Sequence, residues 1–155
     1  PRDKTTLYDS GIRTPWLLRW PKEVKAGSVS GELVSSVDIA PTFLKLAKIP
    51  PPKGLTLDGR SFVPSLRGSE DPFQKRNWIF SQIGDFRMIR DWQHIVDSKG
   101  NFHDLTKDPL QKTKVSPLDK IAPGRRQRLE MILKRFPQNA PAPFPEFREK
   151  HQRPR

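Results

Sequence analysis

The chain has 155 residues, with 29 Lys and Arg against 17 Asp and Glu and a formal net charge of +12. That length suits one ordinary domain, or one domain and the end of another, and argues against two full domains. Cysteine is absent, which excludes a disulfide framework, a thiolate zinc site and a cysteine nucleophile within these residues, and no run reaches the ~18 apolar residues of a membrane helix.

Taken in order, KTTLYDSGIRTP at 4–15 gathers a lysine, a tyrosine, an acidic residue, a glycine, an arginine and a proline. The opening PRDK is not a signal peptide, and a start at Pro1 instead of methionine suits a trimmed chain or a piece of a longer protein. The continuous apolar run at 12–20 (IRTPWLLRW) predicts a strand covered on both faces and ended by Pro21. After a polar loop at 21–31, Asp38 stands before IAPTFLKLAKI, where it can cap a first helical turn, with Pro41 early enough to be tolerated. Ile39, Phe43, Leu46 and Ala47 share one face of that helix. A strand, a loop and a packed helix in that order read as the last unit of an α/β layer.

PPPKG, ending at Gly54, predicts a domain boundary. Beyond it, LDGRSFVPSLRG predicts a turn and a short helix, and 78–83 (WIFSQI), 86–90 (FRMIR) and 92–96 (WQHIV) predict short strands. DSKGN at 97–101 supplies a glycine for a hairpin turn, 102–105 returns as a strand, and Asp108-Pro109 ends the meander. At 124–136 (GRRQRLEMILKRF), Leu129, Ile132, Leu133 and Phe136 recur at helical spacing, predicting an amphipathic helix able to cover one side of the sheet. From Pro137 the chain is too rich in proline for helix or strand and predicts an extended basic tail.

These residues resemble a known family. KTTLYDSGIRTP resembles the stretch that follows the active site in sulfatases of the alkaline-phosphatase-like superfamily, Lys-x-Thr-x-Tyr-Glu-x-Gly-x-Arg-x-Pro. LLRWP, ELVSSVDIAPTFLKLAKIPPP, LDGRSFVPSLRG and FRMIRDWQHIVDSKGNFHDLTKDP are similar, in the family's order, to its strand ending in Trp-Pro, its Ser-x-Val-Asp-Leu-x-Pro-Thr helix, its Leu-Asp-Gly turn and its C-terminal hairpin. Asp9 stands where glutamate is usual, Ser10 where a first glycine is usual, His103 where the hairpin has tyrosine, and Gln111 where glutamate is common.

The resemblance implies an α/β, alkaline-phosphatase-like fold of which this is the C-terminal part only. Residues 1–53 would be the last strand and helix of the catalytic sheet, 54–136 a small α+β subdomain of antiparallel strands with a packed helix, and 137–155 the tail. It implies that Lys4 binds the substrate's sulfate, and that Tyr8, Asp9, Gly11, Arg13 and Pro15 orient the chain. No catalytic or metal-binding residue is expected here: the Cys/Ser-x-Pro-x-Arg that yields formylglycine, and the Asp-Asp and Asp-Asn pairs that hold calcium or another divalent cation, are not in this sequence and are expected upstream. The implied partners are the N-terminal part of the same sulfatase or a second copy of the chain, facing Trp16, Leu17, Leu18 and Trp20, and a sulfated substrate, possibly a polysaccharide. A periplasmic or extracellular location is likewise only implied.

Read without the family, the charge predicts attraction to polyanions of any kind, which leaves a non-catalytic polyanion-binding or interaction module as the alternative. Nucleic-acid binding is disfavoured, because the aromatic residues fall at strand positions where a core would want them. His94 and His103, with Asp97 and Asp104 nearby, read as cross-strand packing groups ahead of a metal site, and Asp85, Asp91 and Asp97 as turn residues.

Overall fold

The computed structural model describes residues 6, 8–68, 75–113 and 123–136; Lys4 and the tail at 137–155 lie outside them. The chain divides into two compact units, one of Pro1–Thr14 with Phe80–Arg155 and one of Pro15–Ile79, so that PPPKG falls inside the second.

The first unit is organised by a four-stranded sheet in the order β1 (Ile79–Ile83), β2 (Phe86–Arg90), β3 (His94–Asp97) and β4 (Phe102–Asp104). Its hairpins turn at Gly84 and Gly100, whose φ of 54° and 79° are left-handed conformations that glycine adopts without a Cβ clash. β3 begins two residues later than 92–96 predicts, because Asp91 Oδ1 accepts the N–H groups of Gln93 and His94 at 2.8 and 2.7 Å and folds that segment into a turn. Asp97 does the same for the next turn, accepting from Lys99 and Asn101 at 2.9 Å each.

The antiparallel register pairs Ile89 with Val96 and Val96 with Phe102, and separately Arg90 with Ile95 and Ile95 with His103. Since side chains alternate across a sheet, Ile89, His94, Val96 and Phe102 share one face, and Met88, Arg90, Ile95 and His103 the other. Both faces are buried.

Helix α4 (Pro123–Lys134) covers the first of these faces. Leu129 and Leu133 are buried, Arg126 lies 5.8 Å from the Phe102 ring centroid, and the Phe136 ring stacks on Phe80 at 3.9 Å. Arg87 Nη1 donates to the Phe136 carbonyl at 2.6 Å, tying the end of the helical segment to β2. His94 stacks on Phe102 at 5.1 Å on this face, while His103 Nδ1 lies 3.0 Å from the Thr113 carbonyl on the other. The two histidines therefore pack on opposite sides of the sheet.

The first unit also includes α1 (Asp9–Ile12), a single turn. This corrects the strand predicted at 12–20. Ile12 closes the helical turn, and residues 13–20 join no ladder, because an apolar run becomes a strand only where another strand lies beside it to take its N–H and C=O groups.

In the second unit, a 3-10 turn at Ser36–Asp38 leads into α2 (Ile39–Ala47), and α3 (Val63–Leu66) follows the Leu-Asp-Gly turn with Pro64 in its first turn. Asp38 does not cap α2 as expected. It sits at the end of the 3-10 turn with helical φ and ψ (−80°, −12°), so its carboxylate points back and across instead of over the following turn. There it accepts the N–H of Ser35 at 2.9 Å and of Arg60 at 2.7 Å, and binds the Arg76 guanidinium, with Nε at 2.9 Å and Nη2 on the other oxygen.

The neighbouring Thr42 hydroxyl donates to the Asp38 carbonyl at 2.7 Å and accepts from the Phe62 N–H at 3.1 Å. Gly59 lies against this hub so closely that a Cβ on it would sit 1.8 Å from the Val37 carbonyl oxygen. Space, not backbone freedom, demands the glycine. Within this unit Trp16 meets Phe62 edge-on at 5.8 Å yet stays half exposed, and Leu17, Leu18 and Phe43 are also exposed.

Candidate functional site

The turn that follows Lys4 is built from residues the structure describes. Gly11 N–H donates to the Tyr8 carbonyl at 2.8 Å and Arg13 N–H to the Asp9 carbonyl at 2.9 Å, closing α1. Asp9 opens that turn and is buried. Its N–H donates to Gln111 Oε1 at 2.6 Å, and its carboxylate lies 3.1 Å from Arg90 Nη1 and 3.4 Å from Arg13 Nη1.

The two ion pairs differ in weight. Arg13 is 72% exposed, so water screens it and its contribution is small. The Arg90 and Asp9 side chains are only 13% and 10% exposed, so each charge depends on the other. Burial pulls the Arg90 guanidinium below its ordinary value, and Asp9 is the first group opposing that shift.

Gln111 reaches Asp9 from a backbone with φ 52°, a left-handed conformation that costs a non-glycine residue about 1–3 kcal/mol and persists only where the surroundings impose it. The surroundings are a tight loop around Asp108. Gln111 N–H donates to the Asp108 carbonyl at 3.0 Å, and the Thr113 N–H and hydroxyl donate to Asp108 Oδ2 at 2.6 and 3.0 Å. These bonds, led by the Thr113 N–H and then that of Lys112, hold the Asp108 carboxyl at about 2.

Lys4, the one site residue expected from the sequence, lies outside the described residues. Of the residues expected to orient the motif, the structure joins Asp9 and Arg13 in one ion-paired turn. Sequence reading missed Arg90 and Gln111 as the partners of Asp9. A signal existed for the first: Arg90 ends a strand at an inward-facing position, and a cation there needs a partner.

Among the described residues, no group of three or more His, Cys, Asp or Glu side chains is placed to hold a metal ion. These residues therefore offer no donor set that fits a divalent cation. No helix among them is long and apolar enough to cross a membrane.

The four-stranded antiparallel sheet backed by a C-terminal helix, with the turn motif clamped to it, has the fold of the C-terminal part of alkaline-phosphatase-like sulfatases. More narrowly, the chain belongs to the N-sulphoglucosamine sulphohydrolase C-terminal family, whose model matches residues 2–123. It is 36% identical over 98 residues to an ulvan-active sulfatase of Formosa agariphila, covering 57% of this chain and 19% of that protein. It is 43% identical over 65 residues to human steryl-sulfatase, covering 42% and 11%.

Among solved structures, it superposes on that of BT4656 in complex with its substrate D-glucosamine-2-N,6-O-disulfate, with a TM-score of 0.69 and 25% identity. The match covers 86% of this chain and 30% of that one. The chain thus spans under a third of the length of each of these proteins.

Proposed function

We propose that this chain is the C-terminal part of an enzyme that hydrolyses the sulfate esters of a saccharide. The match of the sulfatase C-terminal model over residues 2–123 carries the reading. In it, Lys4 contributes the sulfate-binding cation: a compact ammonium offsets charge on a sulfate oxygen as the S–O bond breaks. The formylglycine nucleophile and the divalent cation belong to upstream sequence, which would also cover the exposed Trp16, Leu17 and Leu18.

A saccharide substrate is favoured by three things: the family's name, the disulfated glucosamine bound by the superposed enzyme, and the net charge of +12, which raises the local concentration of polyanions. The same charge is all that supports the rival reading, a polyanion-binding module without catalysis.

One experiment separates them. The chain is co-produced with an N-terminal sulfatase segment carrying a processed Cys/Ser-x-Pro-x-Arg, and sulfate release from D-glucosamine-2-N,6-O-disulfate is followed. Release is expected only with both parts present, with a loss of about 100-fold in Lys4→Ala. No release, or full activity without Lys4, overturns the proposal.

A further inference from the structure

We infer that the outer flank of α4 is a docking surface for a sulfated polysaccharide, which it holds through Arg125, Arg128 and Arg135. The choice of ligand rests on the saccharide-sulfatase reading above; the surface itself does not depend on Lys4.

Residues 124–136 carry Arg125, Arg126, Arg128, Lys134 and Arg135 against the single carboxylate of Glu130. The helix sorts these charges. Leu129 and Leu133 are buried, and to one side of them Arg126 Nε binds Glu130 Oε1 at 2.7 Å while Arg126 Nη2 donates to the Gly100 carbonyl at 3.2 Å. At about 3.6 residues per turn, Arg125, Arg128 and Arg135 fall on the other side, within about 80° of one another. All three are exposed, and none of their side chains has a hydrogen bond or ion pair among the described residues. The Arg135 N–H donates to the Ile132 carbonyl at 3.0 Å, so the helical path continues far enough to carry it. At ~1.5 Å per residue the row is ~15 Å long, enough for several sugar units in line.

Stability does not explain the row. Like charges one turn apart repel and cations near a helix start oppose its dipole, yet α4 has no acidic residue in its first turn. A docked oxyanion offsets both penalties. Arginine suits it, because a planar guanidinium offers parallel donors to two oxygens of one anionic group, where an ammonium offers a point charge.

The surroundings select among polyanions. Single-stranded nucleic acid binds through free aromatic rings as well as cations, and Phe136, the one aromatic residue at 124–136, is already stacked on Phe80 at 3.9 Å. A membrane surface needs an apolar strip beside the cations, and Met131 is the one large apolar side chain of α4 that is exposed. Sulfate groups along a sugar chain need only spaced cations.

The test titrates a labelled heparin octasaccharide, which carries N- and O-sulfated glucosamine, into the 155-residue chain at several salt concentrations. One variant combines Arg125→Gln, Arg128→Gln and Arg135→Gln, since glutamine keeps helix propensity. The other combines Lys22→Gln, Lys25→Gln and Lys53→Gln, which removes three exposed charges from the second unit and leaves the same net charge. The α4 variant should bind at least ~30-fold more weakly and lose about 2–3 from the slope of log K against log salt, and the lysine variant should lose less than ~3-fold in affinity. If the α4 variant loses helicity by circular dichroism, Arg128→Gln alone decides, with at least ~3-fold weakening expected.

Equal weakening by the two triple variants means that net charge and not α4 holds the polymer, and overturns the proposal. So does a DNA duplex of equal charge that binds as tightly and depends on the same arginines. Sulfate release by the assembled enzyme is a separate readout: its absence overturns the sulfatase reading, and the octasaccharide titration still decides the surface.

Discussion

Replacing Gly59 with alanine tests the close approach at the centre of the second unit. The new Cβ would lie 1.8 Å from the Val37 oxygen, 2.4 Å from the Val37 carbon and 2.9 Å from the Asp38 nitrogen, all of them backbone atoms. Reaching even the 3.0 Å floor of real contacts needs a displacement of about 1.2 Å, and no flexible side chain can absorb it.

The next residue, Arg60, donates to Asp38 Oδ1 at 2.7 Å, so the same displacement stretches that bond to nearly 4 Å, beyond the ~3.2 Å range of N–H···O bonds. Losing one hydrogen bond to a charged group costs about 1.5–3 kcal/mol, and overpacking adds a further 1–3 kcal/mol. A loss of about 2.5–6 kcal/mol is therefore expected.

Urea unfolding followed by tryptophan fluorescence suits the measurement, since Trp16, Trp20 and Trp78 belong to this unit. With a slope of about 1–3 kcal/mol/M, the midpoint should fall by at least ~1 M. Gly31→Ala serves as the control, because a Cβ there meets nothing within 4 Å. Equal midpoints for the two variants would refute the reasoning.

Leu129→Ala removes a fully buried side chain where α4 lies on the sheet, and should cost about 2–5 kcal/mol in thermal or urea unfolding read at the first unit; a cost under ~1 kcal/mol would mean that α4 does not pack there. Asp108 tests the loop that presents Gln111. Its carboxyl is held at about 2, below the ordinary 3.8, so its contribution is complete above the ordinary value and lost as pH falls from about 4 through 2. The Thr113 amide, followed by NMR, should titrate with a midpoint near 2; a midpoint at the ordinary value would show that the loop bonds are not formed in solution.

Local pattern determined much of this protein. The short strand run at 86–90, the glycine in DSKGN and the helical spacing of Leu129, Ile132, Leu133 and Phe136 each act over a few residues, so they could be read directly and the structure agrees with them. The sulfatase motifs were legible for a similar reason: each is a short run whose residue types and order survive without reference to the rest of the chain.

Only the tertiary structure decided the remainder. IRTPWLLRW has the composition of a buried strand but is unpaired, since a ladder needs a neighbouring strand and composition does not supply one. Asp38 has the position of a helix cap, yet its carboxylate goes to Ser35, Arg60 and Arg76, the last of them 38 residues away. Asp9, Arg90 and Gln111 meet only because the sheet folds β2 and the loop after β4 beside the opening turn. Charges and donors choose partners by distance in space, and that distance is set by packing rather than by place in the chain.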